Sequence, residues 1–536
     1  MGHHPIWLKE DEWMRKSDGV IYLVLASPLI LLMTFLLYPV MAVLIGGLIR
    51  GPSTPLDVLT GLRTQRVIGF TLLEALLSTG LTVLIGLPGS FILARIRFKG
   101  REFIRSLLIL PFVLPPIVVV VGFSLSGLTG FLGIILAHVF YNVPLILLMV
   151  SASLERMDPD IEESAEILGA GSIEKFRHVI LPHILPSLLA ASVLVFLFCF
   201  MSFPIVLALG ESRFKTIEVQ IWDAFKFFDY GEASTLALVQ LLVTLTLALF
   251  YVWMTWKDRG ISSTPTYLKT QSFSSLSSSR KVVVLSYTMF LLVLMIGPFF
   301  AIFRSAFIDP FSQSFTLSGF SNLFTAVGDG ALPSLINSIL YATLATIFSV
   351  SLGIPLAYTH RSSGRALNGL SSLLLLLPLG VSSITVAYGL MLMIAVPLGI
   401  TLNPWPLIII AQTIIGLPFS ARAIEVSLRN IDQDILDQAD AIGASRFQKL
   451  FHIELPLIAP GVLVGAVFAF AMAIGEMSAT LFIAPGNITL PVTIYHYLGI
   501  PSRFVDAGAA SMLLVLICLI AFIVIDRMSE MTRGDF

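Results

Sequence analysis

Four polar side chains stand inside stretches that are otherwise apolar enough to cross a membrane: Glu74, His138, Gln412 and Glu476. Holding an ionisable group in hydrocarbon is costly, so such residues point first to a transport pathway or an ion site. His138 and Gln412 occupy matching positions of two related segments. For His138 the competing reading is structural, because a lone polar group in a helix bundle finds a neighbour to bond. Glu476, beside Gly475, either lines a pathway or is satisfied by an internal hydrogen bond. Other chemistries lack their residues. No Lys follows a Gly anywhere in the chain, so no phosphate-binding loop is present. The eight His form no HExxH set and the two cysteines no CxxC, so no metal site is expected. Cys199 and Cys518 both lie in apolar runs and read as core.

The elements that carry these residues follow from composition. Of 536 residues 56% are hydrophobic and 12% charged, where an ordinary soluble domain has about 25% charged. The mean hydropathy is +0.93. A bilayer crossing takes about 20 apolar residues, and the apolar runs define twelve spans. They cover roughly 20–48, 67–94, 103–124, 128–152, 185–209, 233–256, 282–304, 333–359, 367–396, 405–428, 458–483 and 507–526. The expected class is an all-α polytopic membrane protein. With the N-terminus inside, 24 of the 32 Lys and Arg fall on the cytoplasmic side, as the positive-inside rule requires. Both termini are then cytoplasmic. The first run is too long for a secretory signal and carries Glu10, Asp11 and Glu12 in its flank, so it reads as an uncleaved helix. His3 and His4 read as part of a disordered terminus. A net charge of -1 gives no support for nucleic-acid binding.

Residues 257–281 are polar and Ser/Thr-rich and read as a cytoplasmic linker between two six-span halves, 1–256 and 282–536. The halves repeat. A shift of 274 aligns 138–186 with 412–460 without a gap, with 15 of 49 positions identical, among them Pro144/Pro418, Gly169/Gly443 and Pro182/Pro456. A shift of 267 aligns Gly86-Leu87-Pro88 with Gly353-Ile354-Pro355. An equal number of spans in each half makes the repeats parallel, which is a transporter-like arrangement. Gly461 and Gly465 are spaced for close helix packing, and Pro111, Pro115, Pro116, Pro144, Pro378 and Pro418 for helix breaks or kinks. Trp222, Phe225, Phe227, Phe228, Tyr230, Tyr495 and Tyr497 read as an interfacial belt or outer gate.

The best-matched part of the repeat is a polar loop, 158–182 and 432–456. Asp158 and Asp432 suit N-caps, and acidic residues in the opening turn favour the positive end of the helix dipole. Gly169 and Gly443 then stand where a left-handed helix end wants glycine. Ser172 or Ser445 is placed to cap a second short helix running to Pro182 or Pro456. The expected product is a helix, a glycine corner and a helix, on the cytoplasmic face.

This pattern resembles the coupling signature of the permease subunits of ATP-binding-cassette importers: Glu-Ala-Ala, three residues, Gly, nine residues, Ile, one residue, Leu-Pro. Here it is Glu163-Ser164-Ala165, Gly169, Val179 and Leu181-Pro182, then Asp437-Gln438-Ala439, Gly443, Ile453 and Leu455-Pro456. Ser164, Asp437 and Gln438 depart from the signature. The resemblance implies a type I importer permease fold in which Glu163, Ala165, Gly169, Asp437, Ala439 and Gly443 couple to two copies of an ATPase subunit. ATP and Mg would be bound by that subunit, and this chain would hold no cofactor and not be an enzyme. It also implies an extracytoplasmic solute-binding protein acting on loops near 209–232 and 484–506. Segments such as Leu136 to Pro144 and Gly475 to Leu481 are similar to fused thiamine and ferric-iron permeases. Two rivals make different predictions. A secondary transporter with two parallel repeats is driven by an ion gradient, and a membrane-embedded enzyme or scaffold requires a buried catalytic cluster.

Overall fold

Long apolar runs in a chain with few charges form helices, because a helix satisfies every backbone group within one segment. The computed structural model describes residues 26–51, 53–258, 270–325, 330–362, 378, 380–484 and 489–534. Ten of its helices are long and apolar enough to cross a membrane, and a bent pair makes an eleventh candidate. The ninth expected span, 367–396, lies partly outside the described residues; Ser383–Leu398 is an apolar helix too short to qualify.

Three expected spans are not single helices. The third divides into Arg101–Phe112 and Pro116–Leu125, which meet at 94°. Pro115 and Pro116 cause this: Pro116 has no N–H to continue the ladder and biases Pro115 out of the α region. The fifth and eleventh spans also break. Leu181–Phe200 is followed by the short helix Pro204–Leu209, and Leu455–Ile474 by Ser478–Ile483. The two short helices are offset by the same 274 residues as the repeat, so the break belongs to both halves.

Four prolines are accommodated by π-turns, at Met33–Leu37, Phe176–Ile180, Met391–Ala395 and Leu450–Glu454. Each is followed, two residues on, by a proline: Pro39, Pro182, Pro397 and Pro456. A ring at that position clashes with the carbonyl four residues back. Widening the preceding turn to an i→i+5 bond, as from Leu181 N–H to the Phe176 carbonyl, relieves it without ending the helix.

The chain forms two compact units. One gathers the described residues of 1–45, 336–485 and 520–536; the other gathers those of 46–335 and 486–519. The units therefore do not coincide with the sequence repeats, because each half lends an arm. In the first unit Gly389 lies against Pro39 of the first helix, so close that an added Cβ would stand 2.8 Å from the Pro39 Cβ. In the second unit Gly122 lies in the same way against Pro298 of Ser278–Phe307, again at 2.8 Å. Gly122 and Gly389 are 267 residues apart, so the exchange is reciprocal.

Inside each unit small residues let the central helices close up. A Cβ on Gly86 would stand 2.6 Å from the Ile146 side chain, and one on its repeat partner Gly353 2.8 Å from the Ser420 Oγ. Gly461 and Gly465 pack as expected, with an added Cβ 3.0 Å from the Ala423 carbonyl and from the Ser420 Cα. Cys199 and Cys518 are fully buried and unpaired. Of the expected linker, 259–269 lies outside the described residues; Gln271–Ser272 adds a two-residue parallel ladder to Ile96–Arg97.

Candidate functional site

The repeated loop builds the same object twice. Asp158 accepts from the Asp160 N–H and Asp432 from the Asp434 N–H, both at 3.0 Å, and the helices Pro159–Ile167 and Gln433–Ala441 start there. Each ends at its glycine in the left-handed region, φ +82° at both Gly169 and Gly443. The Ala170 N–H then reaches back to the Ala165 carbonyl and the Ala444 N–H to the Ala439 carbonyl, both at 3.0 Å. This is the bond that closes a Schellman end. Ala165 and Ala439 thus hold the corner through their backbone. A second clip crosses it: Lys175 to Glu166 and Lys449 to Asp440, both at 2.5 Å and related by the 274-residue shift.

Beyond the corner two expectations change. Ser445 caps its helix as foreseen, accepting from the Gln448 N–H at 3.3 Å. In the first copy Gly171 is the cap and Ser172 already lies in the first turn; the Glu174 carboxylate satisfies the Gly171 N–H at 3.0 Å. Nor is the second helix short. Helical structure runs through the π-turn without interruption from Ser172 to Phe200 and from Arg446 to Ile474. Pro182 and Pro456 stand inside this run, so the elbow is the end of a spanning helix and moves with it.

The elbow surfaces also carry large apolar side chains that the sequence reading did not single out. Leu168 is 87% exposed, its counterpart Ile442 85%, and Ile167 and Ile173 are also exposed. Glu163 and Asp437 are exposed as well, Ala165 is half-buried and Ala439 buried. Large apolar side chains thus stand exposed beside the glycine turn of each elbow. Runs of alternating polar and apolar residues hid them, since no periodic stripe is present in so short a helix. The two elbows are anchored differently. Glu162 pairs with Arg95 at the end of Leu62–Arg95, whereas its counterpart Leu436 is buried.

The four intramembrane candidates divide between the units. Glu74 and His138 come together: Glu74 Oε1 meets His138 Nδ1 and accepts from the Ser78 Oγ at 2.8 Å, all without solvent exposure. Gln412, the counterpart of His138, is buried with its Oε1 lacking a hydrogen-bond partner. Glu476 caps the short helix Ser478–Ile483, accepting from the Ala479 N–H at 2.7 Å, the Thr480 N–H at 3.0 Å and the Thr480 Oγ1 at 2.7 Å. Glu476→Ala leaves those three donors unpaired and is expected to cost about 1–3 kcal/mol. A lowered thermal midpoint of the detergent-solubilised chain reads this loss; an unchanged midpoint would contradict the capping role.

The aromatic residues do not form one belt. Phe227 and Phe228 are exposed, while Phe225 and Tyr497 are buried. Tyr497, with Tyr495, His496, Arg503, Ser124 and Leu207, lines a cavity of about 580 Å³ in the second unit. The Arg503 guanidinium lies 5.0 Å from the Tyr497 ring centroid, a favourable cation–π geometry. Burial pushes the His496 imidazole below its ordinary value, which favours the neutral ring.

Known proteins carry the same plan. The family model for the binding-protein-dependent transport system inner membrane component matches residues 86–263 and again 349–531, one copy in each half. A putative ferric transport system permease protein FbpB 1 of Haemophilus influenzae is 26% identical over 507 residues, 88% of this chain and 79% of that protein. The thiamine transport system permease protein ThiP of Escherichia coli is 24% identical over 494 residues, 86% and 88% of the two chains. ThiP of Brucella abortus is 26% identical over 506 residues, 88% and 89%. With two elbows of one geometry and a family match over each, this chain belongs to the binding-protein-dependent transport system inner membrane components, as a multi-pass ABC-type permease with both repeats in one polypeptide.

Proposed function

We propose that this permease imports a small solute, of the thiamine or ferric-iron kind named for its relatives, in a cycle driven by a separate ATPase. The observation that carries the reading is the pair of glycine elbows with φ +82° at both corners. Each elbow continues into a spanning helix, so a push on the elbow is transmitted as a rigid displacement. One ATPase subunit docks on 158–182 and a second on 432–456, which places both elbows and both termini in the cytoplasm. ATP and Mg stay with those subunits, and this chain performs no hydrolysis. An extracytoplasmic binding protein delivers solute to the opposite face, where the loops near 209–232 and 484–506 lie, and supplies most of the specificity.

Each half then contributes one lever and the solute passes by alternating access. Glu163 and Asp437, in the helix before each corner, and the exposed apolar tips make the docking contact. Uptake into right-side-out vesicles loaded with ATP, with the binding protein supplied outside, separates this from an ion-gradient transporter. The expected result is uptake that fails on ATP depletion and survives ionophores; collapse under ionophores with ATP present would overturn the proposal.

A further inference from the structure

Three metal-ligating side chains converge in the apolar interior of the second unit. Glu74 on Leu62–Arg95, His138 on Gly130–Glu155 and Cys199 on Leu181–Phe200 each present a ligand atom, and these atoms lie within 4.8 Å of one another. The three residues are 0%, 1% and 0% exposed. Asn142, one turn beyond His138, joins them by a 3.5 Å contact from its Nδ2 to the Cys199 Sγ.

The hydrogen bonds present do not account for the set. Glu74 Oε1 and His138 Nδ1 satisfy each other, but Glu74 Oε2, His138 Nε2 and Asn142 Oδ1 are buried without a hydrogen-bond partner. Orphaned polar atoms of this kind are expensive, more so in hydrocarbon. Nor does the repeat demand them. The equivalent positions of the second half hold Tyr341, Gln412 and Ala473, which cannot make the same ligand set.

We propose that Glu74, His138 and Cys199 bind one divalent transition-metal cation of the zinc class. One carboxylate and one thiolate cancel a double positive charge, so the loaded site is neutral, as a membrane interior requires. A thiolate with an imidazole selects zinc or cobalt over magnesium and calcium, which take oxygen ligands. The same preference separates this site from a path for ferric iron, a hard cation. Bound there, the ion ties together three helices, one ending in Arg95, which pairs with Glu162 of the first elbow, and one continuing from that elbow.

The test uses the full chain with whatever partners co-purify, stripped by chelator and titrated with Co²⁺ as a spectroscopic stand-in for zinc. The wild-type chain is expected to take up one Co²⁺ with a thiolate-to-cobalt charge-transfer band. Zn²⁺ abolishes the band and excess Mg²⁺ does not. Cys199→Ser removes the band, Cys518→Ser leaves it, and His138→Gln weakens Co²⁺ binding roughly tenfold or more. A wild-type chain without the band, a band that survives Cys199→Ser, or displacement by Mg²⁺ overturns the assignment. The wild-type result is decisive alone if a variant fails to fold.

Discussion

Gly169→Val with Gly443→Val is expected to cut ATP-driven uptake steeply while the chain still reaches the membrane. Both residues sit at φ +82°, and an added Cβ would meet nothing within 4 Å at either. The cost is therefore torsional and not steric with neighbours. Left-handed backbone costs an L residue about 1–2 kcal/mol, and a β-branched side chain stands at the upper end. The corner is small and exposed, closed by one Schellman bond and one Lys–carboxylate clip, and an exposed clip contributes at most about 1 kcal/mol. Strain at the glycine is thus relieved by opening the corner. The preceding helix, with Glu163 or Asp437, then leaves the angle that the proposed ATPase contact requires.

Each elbow that loses about 1.4 kcal/mol of docking loses tenfold in affinity, so the double variant falls roughly a hundredfold if the elbows act independently. Uptake in vesicles with the partner subunits supplied measures this. Asparagine tolerates the left-handed region, so the Gly→Asn pair keeps most of the activity. Wild-type uptake by the valine pair would sink the coupling assignment.

Leu168→Ser with Ile442→Ser is expected to weaken ATPase binding strongly and leave the stability of the chain unchanged. These side chains are 87% and 85% exposed, so folding gains almost nothing from them. Fully burying a leucine or isoleucine against a partner contributes about 1.5–3 kcal/mol, which is about ten- to a hundredfold in affinity for each elbow. Equilibrium binding of the ATPase subunit to the detergent-solubilised chain, beside its thermal midpoint, reads both parts. Undiminished binding would show that the apolar tips enter the lipid surface instead.

How much was visible in the amino-acid order follows from the range of each interaction. Asp158, Asp432, Gly169 and Gly443 act within one turn of where they stand, and caps and glycine ends came out as expected. Ser172 was misplaced by one residue because a glycine cap, with Glu174 reaching back, is a weaker signal than a serine. Each of the four π-turns precedes a proline, but Pro88, Pro144, Pro298 and Pro418 stand inside α-helices without one, so proline in the sequence does not by itself announce the turn. The breaks after Phe200 and Ile474 were missed because hydropathy stays high across them.

Residue order by itself determined the membrane class, the two parallel repeats, the elbows and the polar residues that had to find partners, because these rest on composition and on contacts within a few residues. Tertiary structure alone decided that Glu74 meets His138 and Cys199, and that each half lends its arm to the other. Those outcomes depend on which helices approach closely across separations from that of His138 and Cys199 to that of Pro39 and Gly389. Backbone approach at Gly86, Gly122, Gly353 and Gly389 permits them, and a glycine in a sequence does not say which helix it will admit.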